Sequence, residues 1–233
     1  MMSGQPAGDV LDVQIVGGCA SGPAADDGEE EKSIRQAIAA NPADTTSWIA
    51  LGTLLRCKRD VTQAEEALRS AIAADAACAK AWTLLGNLLW DEKGHFAGAE
   101  EAYRRAVAVD PMDPLAWNNL GILLDTQLQD IDGAEEAYRK AVAADPSFAL
   151  AWNNLGVLLE QNRQDPAGAE EAYHIAIKAD PTCASAYNNL GVLHEKDRGD
   201  LSAALQAYRK AAAADPGEAA LRCNLERLES RSK

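Results

Sequence analysis

The chain is short of positive charge, of phenylalanine and of long apolar runs. Its 22 Lys+Arg stand against 36 Asp+Glu, a formal charge of −14 over 233 residues. A charge of that sign repels phosphate and anionic headgroups, which argues against a nucleic-acid binder or a membrane-surface protein and leaves basic or neutral peptides as partners. No stretch of 18 or more apolar residues occurs, so no ordinary transmembrane helix is expected. No Lys or Arg precedes Lys32, while Asp9, Asp12, Asp26, Asp27, Glu29, Glu30 and Glu31 do, and neither a secretory signal nor a mitochondrial transit peptide looks like that. The five cysteines, Cys19, Cys57, Cys78, Cys183 and Cys223, are an odd number without a CxxC pair, which predicts reduced thiols in an intracellular, cytoplasmic protein. Phosphate loops of the GxGxxG or GxxxxGK[ST] type and the GxSxG elbow are missing. His95, His174 and His194 have no second ligand at HExxH-like spacing and read as surface residues. No cofactor, no metal and no catalysis by this chain are expected.

What is present is a repeat. Trp48-Ile-Ala-Leu-Gly52, Trp82-Thr-Leu-Leu-Gly86, Trp117-Asn-Asn-Leu-Gly121, Trp152-Asn-Asn-Leu-Gly156 and Tyr187-Asn-Asn-Leu-Gly191 recur with glycine spacings of 34, 35, 35 and 35 residues. A second block follows each: Ala64-Glu-Glu-Ala-Leu68, Ala99-Glu-Glu-Ala-Tyr103, Ala134-Glu-Glu-Ala-Tyr138, Ala169-Glu-Glu-Ala-Tyr173 and Ala204-Leu-Gln-Ala-Tyr208. An Asp-Pro stop then closes all but the first, at Pro111, Pro146, Pro181 and Pro216, with Ala76 in the corresponding place.

Trp117, Leu120, Gly121 and Leu124 fall at i, i+3, i+4 and i+7, one apolar stripe of a helix; Ile131, Ala134, Tyr138, Ala141 and Val142 form another. Each unit is therefore expected to be a pair of amphipathic helices, A and B. Asp60, Asp130, Asp165 and Asp200 read as N-caps of helix B, with His95 in the second unit. The Glu-Glu pairs stand four residues before bases, as in Glu100 and Arg104, Glu135 and Arg139, and Glu136 and Lys140, which makes them a solvated face rather than catalytic carboxylates. The recurrence of Cys78 and Cys183 predicts packing between repeats.

These residues resemble the tetratricopeptide repeat family, whose pattern sets an aromatic, Leu-Gly and a further large residue on helix A, and Ala, an aromatic, Ala and Pro on helix B. The resemblance spans residues 45 to 218 and recurs five times in register. It implies an all-α, right-handed helical solenoid of antiparallel helix pairs. The expected organisation is an acidic, Gly/Pro-rich, disordered leader over 1–29, within which Val10 to Val16 could dock as a strand; a partial repeat over 30–44; repeats at 45–78, 79–113, 114–148, 149–183 and 184–218; and a capping helix and tail over 219–233. Leu221, Leu225 and Leu228 are expected to cover the last B helix, while Arg222 and Glu226 stand in the aromatic and glycine slots.

One series departs from packing. Asn119, Asn154, Asn189 and Asn224 recur, and at 100° per residue Asn119 lies roughly 150° from the centre of its stripe, turned away from the core; Asn118, Asn153 and Asn188 flank them. In the resembling family the A helices line a concave groove, and in the O-linked N-acetylglucosamine transferase a row of asparagines in this slot holds an extended peptide. One amide offers both a donor and an acceptor to a peptide unit. The competing reading is that these amides bond neighbouring helices to one another. Trp90, Asp125, Glu160 and Glu195 complete the candidate site, the three acids recurring near the groove rim. The resemblance implies a scaffold or adaptor that takes an extended peptide or partner helix; the acidic row favours ligands with basic residues, and Asn118, Ile122, Asn154, Ser185 and Asn189 stand where a clamp for the C-terminal carboxylates of chaperones has Lys or Arg. The alternative is a substrate-presenting module of a larger enzyme assembly with the catalytic part elsewhere.

Overall fold

The computed structural model describes residues 27–231, which form two compact units, 27–129 and 130–231. Most of the acidic leader, including Val10 to Val16, lies outside the described residues. Among the described residues every regular element is helical, the all-α solenoid architecture of stacked helix pairs. The first unit holds α1 (Asp27–Ala40), α2 (Thr45–Cys57), α3 (Val61–Ala74), α4 (Ala79–Asp91), α5 (Phe96–Val109) and α6 (Pro114–Leu123), the last running on into a π-helical turn at Leu124–Leu128. The second holds α7 (Ile131–Ala144), α8 (Ala149–Gln161), α9 (Pro166–Ala179), α10 (Ala184–Lys196), α11 (Leu201–Ala214) and α12 (Ala219–Arg231). Within each unit every helix packs on its predecessor and successor, and successive A helices also touch, α2 on α4 and α8 on α10.

Local chemistry sets the helix ends. Asp60, Asp130 and Asp165 accept from the backbone N–H three residues on, and Asp200 from those of Ser202 and Ala203. Each satisfies a donor that the first turn would leave bare. His95 takes the same position without a side-chain cap bond. Each A-to-B turn passes through one left-handed residue, at Arg59, Gly94, Gln129, Gln164 and Gly199, with φ between 54° and 62°. The turn is thus built the same way whether its repeat has 34 or 35 residues.

The aromatic slot of helix A closes the preceding B-to-A turn. Trp48, Trp82, Trp117 and Trp152 each donate Nε1–H to the carbonyl six residues earlier, at 2.9–3.1 Å. Ala76 serves as acceptor as well as proline does, because the bond uses the backbone carbonyl. Arg222 donates its guanidinium to the Pro216 carbonyl in the same way, so at this slot an arginine reproduces the indole bond and does more than keep the cap soluble.

Helix B presents its aromatic to the A-helix glycine. Tyr103, Tyr138, Tyr173 and Tyr208 are completely buried. A Cβ on Gly156 would stand 2.5 Å from the Tyr173 ring, so the ring and the missing side chain require each other. Cys183 is buried among Ala149, Ala176 and Ala186, with Trp152 and Ile177 against them, the inter-repeat packing expected of it. The Val61, Phe96, Ile131 and Leu201 slot is shallower than its sequence suggests: the first three are half-buried and Leu201 is exposed. At the C-terminal end Leu228 joins Val192, Ala204 and Tyr208, with Leu225 packed on them and Leu221 buried.

The uncapped start of α5 yields a test. His95→Asp supplies the acceptor that the other B helices have, and it should stabilise the protein by about 1 kcal/mol, read as a higher midpoint in urea at unchanged slope.

Candidate functional site

The asparagine series is buried. Asn118, Asn119, Asn153, Asn154, Asn188, Asn189 and Asn224 are all no more than 1% exposed. The residues that the sequence offered as ligand-facing, Asn119, Asn154, Asn189 and Asn224 with Asn118, Asn153 and Asn188 beside them, have their amides engaged within the chain.

The amides bond to one another. In residues 130–231 Asn224 Nδ2 donates to Asn188 Oδ1 at 2.9 Å, Asn188 Nδ2 to Asn189 Oδ1 at 3.3 Å, Asn189 Nδ2 to Asn153 Oδ1 at 3.0 Å, and Asn153 Nδ2 to Asn154 Oδ1 at 3.4 Å. This is one directed chain through α12, α10 and α8. In residues 27–129 Asn119 Nδ2 donates to Asn87 Oδ1 at 3.2 Å, and the Tyr103 hydroxyl donates to the same oxygen at 2.7 Å. Asn87 escaped the sequence reading. Its signal was a polar residue in the slot that Ile122, Val157 and Val192 fill.

The second candidate row lies three residues beyond that slot: Arg56, Trp90 and Asp125 in the first unit, Glu160 and Glu195 in the second. Trp90 is half-buried and meets Tyr103 edge-on, with ring centroids 6.5 Å apart at 78°, so it covers the tyrosine as an edge-packing residue. Asp125 is half-buried on the π-helical turn, and burial pushes its carboxyl above the usual range. Glu160 accepts the Tyr173 hydroxyl at 3.0 Å, and Glu195 accepts that of Tyr208 at 3.2 Å. Sequence spacing placed these acids at a rim, but it did not show that they serve as acceptors for buried phenols.

Glu195 is also occupied. Arg227 grips it with two bonds of 2.7 and 2.5 Å, and Arg231 adds a third at 2.7 Å. The Arg227 hydrogen bond, against an opposing cost of burial, holds the Glu195 carboxyl below the ordinary carboxylate range; the same bond raises the Arg227 guanidinium. Glu195 is thus a cap contact of α12 rather than an open ligand site.

The charged B-helix face contains a pairing that the sequence reading missed. Glu100 pairs with Arg104, Glu135 with Arg139 and Glu136 with Lys140, as expected. In addition the base in an A-to-B turn reaches a glutamate near the start of the preceding B helix: Lys58 to Glu31, Lys93 to Glu65, Arg163 to Glu135 and Arg198 to Glu170. The recurrence of bases at 93, 163 and 198 was the available signal, and Leu128 breaks it.

No helix among the described residues is long and apolar enough to cross a membrane. Among them, too, no three His, Cys, Asp or Glu residues converge as metal ligands would. Cys78, Cys183 and Cys223 are not in disulfides. Cys57 is disulfide-bonded, against the expectation of reduced thiols throughout, and Cys19 lies outside the described residues. His194 corrects the surface reading of the histidines: it is half-buried, and its Nδ1 is buried without a hydrogen-bond partner.

Two outcomes follow from this geometry. Asn189→Ala removes the donor to Asn153 and the acceptor for Asn188, and it should cost about 1–3 kcal/mol in urea unfolding because both remaining groups are buried. Arg227→Met should cost on the order of 2 kcal/mol at neutral pH, less than a fully buried pair because Arg231 remains. Glu195 has a depressed folded pKa, so its contribution is complete above the unfolded value of about 4.3 and is lost as pH falls through the lower folded value. The stability gap between Arg227→Met and the parent should therefore narrow below about pH 4 in denaturation series.

Comparison with known proteins agrees with this geometry. The tetratricopeptide repeat model matches residues 49–93, 91–147, 126–165 and 160–219, well over half of the chain. No match was found among curated protein sequences. Among solved structures, YrrB, described as a TPR protein with an unusual peptide-binding site, is similar at TM-score 0.62 and 21% identity, covering 87% of this chain and 100% of that one. MamA is similar at TM-score 0.61 and 25% identity, over 74% and 92% of the two chains. PilF of Pseudomonas aeruginosa is similar at TM-score 0.72 and 17% identity, over 88% and 90%. With its aromatic slots, Leu-Gly steps and buried tyrosines in the same register, this chain belongs to the tetratricopeptide repeat family.

Proposed function

We propose that this protein is a non-catalytic protein-interaction scaffold whose A-helix face takes up a partner segment carrying Lys or Arg. The observation that carries this reading is the grip of Glu195 on Arg227 and Arg231. It is an internal example of what an acid in this slot does with a guanidinium. Glu160 has the same slot in the preceding repeat, held by the same kind of tyrosine hydroxyl. Asp125 has the slot in the other unit. A net charge of −14 favours cationic segments at longer range and raises their association rate. The peptide-binding site named for YrrB supports the same class of activity. The buried asparagines have no part in this reading; they hold the repeats that present the acids.

A peptide array with matched Arg-, Lys-, Glu- and Ala-bearing series supplies the test, followed by calorimetry on the strongest binder. Arg-bearing peptides should lead. Glu160→Gln keeps an acceptor for Tyr173 and should weaken binding about fivefold, with the difference shrinking as salt rises. Equal capture of the Glu series, or unchanged affinity in both Glu160→Gln and Asp125→Asn, would remove the reading.

A further inference from the structure

Four departures from the repeat pattern meet in one cleft of residues 130–231. It measures about 210 Å3 and opens between α9 and α11, with α10 as its third wall. His194 occupies the slot of Leu55, Leu89, Leu124 and Leu159, and Tyr187 the slot of the four tryptophans. Gln206 replaces the second glutamate of the Glu-Glu pair, and Leu205 the first. In the third repeat the base at Lys140 is neutralised by Glu136 one turn earlier, at 2.6 Å. Lys210, in the same slot, has Gln206 there instead, and its ammonium lies 5.5 Å over the Tyr187 ring. His174 on α9 completes the nitrogen-bearing lining, and among the described residues no Asp or Glu lines the cleft.

We propose that this cleft is a binding site for a single carboxylate group, on a surface distinct from the A-helix acids. Lys210 supplies the charge, and His194, His174 and Gln206 supply N–H donors around it. Ile177 and Leu190 give the cleft an apolar part that suits the methylenes of a short acid. The volume is below the roughly 300–1,000 Å3 of ordinary small-molecule pockets, so the ligand is a side chain or a small organic acid. A purely structural role does not account for His194: its Nδ1 is buried without a partner, in a slot that four other repeats fill with leucine. One lysine and two imidazoles are also not the row of bases that a tail of several carboxylates requires.

The experiment is NMR titration of the full chain with glutarate and, separately, with an acetylated, amidated Gly-Glu-Gly peptide; glutaramide and the Gly-Gln-Gly peptide are the controls. Saturable shifts confined to α9, α10 and α11 should appear with the acids and not with the amides. Lys210→Gln and His194→Leu should each weaken binding about tenfold, the worth of one charge-assisted contact. His194→Leu restores the residue of the other repeats, so its melting temperature should not fall, which separates loss of the site from loss of the fold. Tighter binding of the peptide assigns the carboxylate to a partner protein, and tighter binding of glutarate assigns it to a free organic acid. Absence of saturable shifts with both acids, or equal affinity in both variants, overturns the proposal.

Discussion

The structure depends on a chain of amides that no water reaches. Each asparagine side chain has one donor group and one acceptor group, and in residues 130–231 these are arranged head to tail from Asn224 through Asn188, Asn189 and Asn153 to Asn154. Burying an amide without a partner costs a few kcal/mol, whereas burying a connected series costs little beyond the first and last members. Sliding one repeat past the next by a single turn would break the bond that crosses between them, Asn224 to Asn188 or Asn189 to Asn153. Apolar burial makes the helices associate, but leucine and alanine tolerate small slips; the amides do not.

The tyrosine slot imposes a second requirement. A fully buried phenol needs an acceptor. Each repeat in which the acceptor is resolved meets the need in its own way: Tyr103 through Asn87, Tyr173 through Glu160 and Tyr208 through Glu195. The acids near the A-helix ends therefore have a structural duty before any ligand arrives. That duty fixes their carboxylates in place, which is also what a charged recognition site needs. The arrangement accounts for the cap as well. From α12, Arg227 and Arg231 reach Glu195, and Arg222 reaches the Pro216 carbonyl.

Fold and site differ in how much of them was legible in the sequence. The helix pairs, their aspartate caps, the Gly-to-Tyr packing and the C-terminal leucine stripe could be read because they follow from periodicity along one chain segment, to which 3.6-residue geometry applies directly. The bonds between asparagines were not legible in that way, because they join residues 32 to 36 positions apart on different repeats. The ladder from Arg163 to Glu135 and from Arg198 to Glu170 belongs to the same class: every participant was visible, but the pairing spans 28 positions and joins different repeats.

A repeat protein provides its own reference, because each slot is occupied several times in nearly the same surroundings. A residue that matches its slot is explained by packing; one that departs has to be explained by something else. By that standard the acids and bases of the charged face carry little information, since they recur with their partners. Asn87 departs from an apolar slot, and the Tyr103 hydroxyl accounts for it. Arg222 departs from an aromatic slot, and the Pro216 carbonyl accounts for it. Leu128 departs from the basic series and leaves Glu100 to its own-helix partner Arg104, at the one A helix that ends in a π turn. His174, His194 and Gln206 depart together beside Lys210, with no bond inside the protein among the described residues that accounts for His194 Nδ1. Isolated departures are absorbed by a neighbour, whereas three that converge on one cleft and share one chemical character, nitrogen donors without carboxylates, are what selection for a ligand would leave behind.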